Sequence, residues 1–295
     1  MVSILKSLKI ISNLLIFTLI ISFLLTGFLF ELQNYLLSGV SGAKPFHFLR
    51  IFSRLLTIVL FVVVVWYCLR IEKRSLRSYG LEVHSLSKKK LWIGFGFGIL
   101  SMSLLILLNL FFCDSKLEFK ANTILLFRDM VLQLFVVFTI ALVEEWFFRG
   151  FLLQTLVKDF GIRISVIGSS LFFAATHFVR PVTNWIHLLP EFFGLFLIGL
   201  ILANASVYTR SLHFSIGIHA GWVYIVKLDK FFINHFDSQL QRVFGGEKLL
   251  KGITAWILIL LILTYLKKIV NWIFPTLAVE KDRVPNETNS SIQRI

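Results

Sequence analysis

Long apolar runs, each closed by a short polar or basic stretch, repeat along the chain, and their spacing sets the architecture. They lie at roughly Ile10–Phe30, Leu55–Leu69, Leu91–Phe112, Ile124 into Glu144-Glu145, Ile164–His177, Phe192–Tyr208, Leu212–Leu228 and Ile253–Val270. About 20 residues of helix cross a hydrocarbon core of ~30 Å. The pattern therefore predicts an all-α polytopic membrane protein with about eight transmembrane helices. The first run follows Lys6 and Lys9 as a signal sequence would, but it is too long for one. It ends in Phe28-Leu29-Phe30-Glu31-Leu32, without a small-x-small cleavage site, and is read as a retained helix.

Composition removes the soluble alternatives. With 57% hydrophobic and only 16% charged residues, the chain is too apolar for a soluble domain of its length. It reads as one integral membrane domain over residues 1–279, followed by a polar, disordered tail at 280–295. The net charge of +14 does not point to nucleic acid, because the basic residues gather at the ends of apolar runs, where they meet anionic headgroups. The densest group is Arg70, Lys73, Arg74, Arg77, Lys88, Lys89 and Lys90. Eight spans put 18 of the 30 Lys and Arg on the side of the termini, which places both termini in the cytoplasm. Cys68 and Cys113 form neither a disulfide framework nor a zinc spacing. Gly94-Phe95-Gly96-Phe97-Gly98 fits no nucleotide loop and suits close helix packing through Gly94 and Gly98. The small residues Gly194, Gly199, Ala203, Ala205 and Ser206 suit the same use.

Candidate chemistry sits inside the apolar runs. Ala141-Leu142-Val143-Glu144-Glu145-Trp146-Phe147-Phe148-Arg149-Gly150 holds three ionisable groups, and a charge at the centre of a membrane helix costs about 2.5–3.5 kcal/mol on insertion scales. Glu145 and Arg149 stand four apart on one helical stripe, so they can pair, and Glu144 points elsewhere. His177 and His219 fall on two other apolar helices. A carboxylate and two imidazoles supply what amide hydrolysis by water requires: a base, a donor for the leaving amine and a donor for the oxyanion. Each residue also has a plainer use. A single intramembrane histidine can hydrogen-bond a neighbouring helix, and the two acids can form a structural lock with Arg149. His213 is offset by about 120° from His219 and is peripheral. His187 and Glu191 are interfacial.

Taken in order, Glu144-Glu145-x-x-x-Arg149, Phe173-x-x-x-His177 and His219 within Ile216-Gly217-Ile218-His219-Ala220-Gly221-Trp222 resemble the three motifs of the CAAX prenyl protease 2 and bacteriocin-processing family. Motifs and intervening helices cover about residues 124–228. The resemblance implies an eight-helix intramembrane endopeptidase with a conical, cytoplasm-facing catalytic cavity, acting on a peptide or protein at the membrane. In a bacterium it would sit in the plasma membrane. It casts Glu144 as the activator of water, assisted by His177, with His219 at the oxyanion site. Glu145, Arg149 and Phe173 become supporting residues. The family's last motif usually has Asn or Asp four residues after its histidine, where this chain has Val223. Either the donor position is vacant and the enzyme is slow, or Trp222 or a backbone amide supplies the donor, or Val223 shapes a pocket for an apolar substrate residue. No cofactor is required. The alternatives are a zinc site on Glu144, His177 and His219, although His-Glu-x-x-His is absent, and a non-catalytic bacteriocin-immunity or scaffold protein. A proton-coupled transporter would carry an inverted repeat, and none is visible.

Overall fold

A computed structural model describes residues 66, 70, 79–82, 85–113, 115–118, 123–178, 188–235, 240–245 and 248–275. The first predicted span, the second apart from Trp66, and the tail lie outside the described residues. The chain divides into two compact units, Met1–Ser75 with Phe178–Pro181 and Leu76–His177 with Val182–Ile295. In the first, the Arg70 guanidinium lies 5.0 Å from the Trp66 ring centroid.

Each of the third to eighth predicted runs is helical. The elements are α1 (Ser85–Phe112), β1 (Ser115–Leu117), α2 (Thr123–Glu145), a π-helix (Trp146–Leu152), α3 (Leu153–Thr176), α4 (Leu189–Thr209), α5 (Leu212–Phe232), β2 (Ile233–His235), a single turn α6 (Gln241–Phe244), a 3-10 turn (Leu249–Lys251) and α7 (Ile253–Ile273). The bulk is all-α and polytopic. One small correction is the ribbon in which β1 pairs antiparallel with β2, Lys116 opposite Asn234. Among the described residues, the helices long and apolar enough to cross a membrane are Ser85–Phe112, Leu126–Thr176, Leu189–Thr209 and Ile253–Ile273.

Three predicted spans therefore stand differently from expectation. The fourth and fifth runs are joined in the 51-residue stretch Leu126–Thr176. That stretch folds back on itself at Gly161, whose φ of 73° and ψ of 168° suit a residue without Cβ. Val166 then joins Leu153 and Ala203 in one buried cluster, and the rings of Phe172 and Phe173 lie 6.4 Å and 5.1 Å from those of Phe147 and Phe148. The stretch is an antiparallel helical hairpin. The seventh run forms α5, but His213, His219, Lys227 and Asp229 leave it less apolar than a lipid-facing span. From Phe214 to Trp222 every residue of α5 is buried, so its surroundings are protein, not hydrocarbon.

Helices α1 and α5 form the most extensive helix pair, and glycines on both make it possible. A Cβ on Gly94 would strike the Phe214 carbonyl and one on Gly98 the Ile218 carbonyl; from the other side, Gly217 meets the Leu91 carbonyl and Gly221 the Phe95 carbonyl. The order of these contacts shows that the two helices run parallel. Their starts are tied by Leu212 N–H donating to Gly80 O (3.2 Å), and the buried Lys90 ammonium caps the C-terminus of α4 at Thr209 O (2.8 Å). Phe274 beyond α7 packs on Phe214 at 5.6 Å, so α7 finishes at this same end. Here too lie exposed Lys88, Lys89, Lys158, Arg163, Arg210, Lys267 and Lys268, a basic end of the bundle. Exposed Leu100, Phe111, Phe127 and Phe135 form the apolar exterior a bilayer would cover.

Because a Cβ on Gly217 has no room against a backbone carbonyl, Gly217→Ala is expected to lower stability by about 1–3 kcal/mol. Gly96→Ala, with nothing within 4 Å of the added carbon, should be neutral or slightly stabilising. Thermal midpoints of the two purified variants in one detergent check this. Equal midpoints would refute the glycine-packed interface.

Candidate active site

At the end of α2 the backbone changes from α to π geometry, and Trp146–Leu152 forms seven residues of π-helix. In an α-helix residue i+4 overshoots residue i by about 40°. The wider π turn brings it back more nearly above i, and such segments recur at functional sites. Arg149 accordingly donates from Nη1 to Glu145 Oε1 at 2.8 Å. Both side chains are withdrawn from solvent, at 0% and 1% exposure for Glu145 and Arg149.

Three further features hold this pair in place. Arg149 Nη2 donates to Gly199 O at 3.2 Å, and Gly199 permits that approach, since a Cβ there would lie 2.9 Å from the Ser170 Cβ. The Arg149 guanidinium lies 4.5 Å from the Phe173 ring centroid and 5.6 Å from that of Phe148, giving the cation π-faces in place of water. His219 completes the group, with Nδ1 2.9 Å from Glu145 Oε1. One carboxylate oxygen thus receives both Arg149 and His219.

The bonding assigns the His219 tautomer. An ionised carboxylate only accepts, so Nδ1 carries the proton and Nε2 is turned to the other acid. Glu144 Oε2 lies 3.8 Å from that Nε2. This Glu144 oxygen is buried and has no hydrogen-bond partner among the described residues. His177 caps α3, and its Nδ1 lies 2.9 Å from Phe173 O. A carbonyl also only accepts, so here again Nδ1 is the donor and Nε2 is left over. No hydrogen bond or ion pair joins His177 to Glu144 or His219. The Phe173 ring lies beside both imidazoles, at centroid distances of 4.7 Å from His177 and 6.0 Å from His219. In the hairpin Phe148 faces Phe173; one turn back along the first leg is Glu144, and one turn on along the second is His177. Antiparallel register puts the two at the same height.

Other candidate residues lie apart. His213 Nδ1 is 3.0 Å from the hydroxyl of Ser211, the N-cap of α5. Glu191 pairs with Lys248 at 2.9 Å, and His187 lies outside the described residues. Val223 is half-buried. Trp222 is unsuited to the oxyanion, because its indole N–H is committed to Ser101 Oγ at 2.8 Å. Among the described residues no three His, Cys, Asp or Glu side chains converge as a metal ion requires. Glu144, His177 and His219 are not drawn together as a zinc set would be. Two partners had no usable signal in the sequence: the Gly199 carbonyl, since Gly199 reads only as a small packing residue, and Ser101, an ordinary serine in an apolar run.

Breaking a buried ion pair from one side costs about 3–5 kcal/mol, because the other charge is left unpaired. Glu145→Gln should therefore give a lower yield of folded, monodisperse protein. Glu145→Gln combined with Arg149→Met should recover yield but not activity. Size-exclusion profiles of the three proteins decide, and a wild-type profile for Glu145→Gln alone would contradict the account.

Residues 126–225, about a third of the chain, match the family described as type II CAAX prenyl endopeptidase Rce1-like. No curated protein and no solved structure matches the chain. The matched segment runs from early α2 through the hairpin and α4 into α5 and contains Glu144, Glu145, Arg149, Phe173, His177, His219 and Val223. Over that segment the chain is similar to a family of membrane proteases, the Rce1-like CAAX prenyl endopeptidases, the same family that its three motifs resemble.

Proposed function

We propose that this protein is an intramembrane endopeptidase of the glutamic type, hydrolysing a peptide bond near or within the bilayer with Glu144 as its base. The observation that carries the reading is the unpartnered, buried Glu144 Oε2 facing His219 Nε2 across 3.8 Å. The gap is too long for a direct hydrogen bond, yet a water to one side can lie about 2.8 Å from both atoms.

Charge balance favours a division of labour. Glu144, Glu145 and Arg149 sum to one negative charge, and an apolar interior disfavours a net charge. One further proton makes the cluster neutral, and it has two places to reside, Glu144 or His219 Nε2. With the proton on His219, Glu144 is an ionised base and His219 a donor at once. Water then gives its proton to Glu144 while its oxygen bonds to the scissile carbonyl carbon. The carbonyl oxygen gains charge and accepts from His219 Nε2–H. The carbon–nitrogen bond breaks, and Glu144 passes its proton to the departing amine. His177, level with Glu144, uses Nε2 to hold the second hydrogen of the water. Glu145 and Arg149 orient His219, and no metal takes part.

The substrate on this reading is a peptide or protein presented at the membrane. His219 is the eighth residue of α5, about 10 Å from the start of that helix and about 20 Å from its end. The site lies nearer the basic end. We place that end in the cytoplasm by the excess of Lys and Arg, against anionic headgroups, with eight spans, both termini cytoplasmic and residues 280–295 as a cytoplasmic tail. A bacterial plasma membrane suits this arrangement, and nucleic acid has no part in it. The integral domain extends over 1–279.

Glu144→Gln keeps shape and removes the base, so turnover should fall 10²–10⁴-fold, the usual worth of general-base catalysis. Comparing the peptides released from a membrane-extract peptidome by wild type and Glu144→Gln checks this; equal cleavage would sink the mechanism. Activity should also survive prolonged chelation, whereas loss restored by added zinc would overturn the metal-free reading. Position 223 gives a third test. An oxyanion donor is worth about 10²–10³-fold, so Val223→Asn should raise turnover on the same peptide. Val223→Ala should not, and a loss with both would assign Val223 to substrate shape.

A further inference from the structure

On the reading just proposed, His219 must stay within hydrogen-bond reach of Glu145, and the helix that carries it packs on α1 through glycines. The contacts of α5 with α1 at Gly94, Gly98, Gly217 and Gly221 are backbone against backbone. Both pairs are spaced four apart. Moving α5 by one turn would set Gly221 where Gly217 sits and keep half of the glycine contacts. Such a one-turn step is about 5.4 Å, and it would carry His219 out of reach of Glu145 Oε1, now 2.9 Å away. Half of the glycine contacts survive such a step, while the other half sets Ile225 where Gly221 now meets the Phe95 carbonyl.

We infer that Ser101 is a positioning residue for His219, acting through Trp222. Trp222 lies three residues after His219 on α5 and donates its indole N–H to Ser101 Oγ on α1 at 2.8 Å. The Ser101 hydroxyl proton is used within its own helix, on Phe97 O at 2.8 Å. Its oxygen is therefore oriented as an acceptor, and the bond has a defined direction. Trp222 is only 4% exposed, so a slip that takes the indole from Ser101 leaves a buried donor unpaired. The hydrogen bond adds a directional contact to the glycine packing and distinguishes the native register from its neighbour. Neither side chain hydrogen-bonds Glu145 or Arg149; their effect passes along α5 to His219.

The test uses the full chain in proteoliposomes, with a peptide cleaved by wild type as substrate. Ser101→Ala is expected to lower kcat about tenfold to 10²-fold, as a displaced catalytic group would, with KM within twofold of wild type. Ser101→Thr, which keeps the hydroxyl, should restore kcat to within a few-fold. Trp222→Phe should act as Ser101→Ala does, and the double variant should be no slower than the slower single one. Alongside kinetics, spin labels at Lys89→Cys and Lys230→Cys, in a chain with Cys68 and Cys113 replaced by Ala, report the register directly. Ser101→Ala should add a distance population displaced by about 5 Å, one turn. Wild-type kcat in Ser101→Ala, additive losses in the double variant, or an unshifted distance in Ser101→Ala would each overturn the inference. Should wild type cleave nothing, the proteolytic reading fails, and the label distances still decide the register.

Discussion

Two donors meeting on one buried carboxylate oxygen is the constraint from which the rest of this structure follows. Glu145 Oε1 receives Arg149 at 2.8 Å and His219 at 2.9 Å, in a place without solvent. An arginine there must find partners for its fork and faces for its plane, or it costs several kcal/mol. The neighbouring elements supply them. The π turn aligns Arg149 with Glu145, α4 offers the Gly199 carbonyl, and Phe173 and Phe148 border the guanidinium. Each demand falls on a different helix, so the ion pair works as an assembly point: α2, the hairpin, α4 and α5 must all be seated before its charges are satisfied.

Satisfying that group dictates where glycine is needed. For α5 to bring His219 to Glu145 while also packing along α1, the α1–α5 pair has to approach to backbone contact, and for α4 to present a carbonyl it has to approach Ser170. Both approaches occur at glycines. The hairpin adds the third dimension. By folding at Gly161 it returns Phe173 to the level of Phe148, and His177 to that of Glu144. The first and second motifs, far apart in sequence, thereby share one height in the bundle.

The apolar runs, the i,i+4 relation of Glu145 with Arg149, and the three motif positions were legible because each depends on local spacing. What was not legible depends on neighbours. The runs ending at Glu145 and beginning at Ile164 read as two spans, whereas a helix continues between them to Gly161, since Leu153–Val157 is itself a good helical sequence. The run Leu212–Leu228 reads as a span like the others, although α5 carries polar residues that suit the protein surrounding it. Gly94 and Gly98 announced close packing, but not their partners Gly217 and Gly221. Trp222 looked available as a donor until Ser101, which no pattern marks, was seen to hold it.

With Trp222 engaged and Val223 aliphatic, the third motif of this chain has one side-chain donor to offer a developing oxyanion, His219 Nε2. That nitrogen donates only when it carries the second proton, because the first is committed to Glu145. On the proposed mechanism the proton that arms the oxyanion site is therefore the same proton whose absence from Glu144 makes that residue a base. In a site where an asparagine amide donates, the oxyanion contact does not depend on where that proton lies; here a single transfer across 3.8 Å sets both. Anything that holds His219 at the right distance from Glu144 then governs both roles together. On that mechanism the packing of α5 against α1, remote from any reacting atom, bears on both steps.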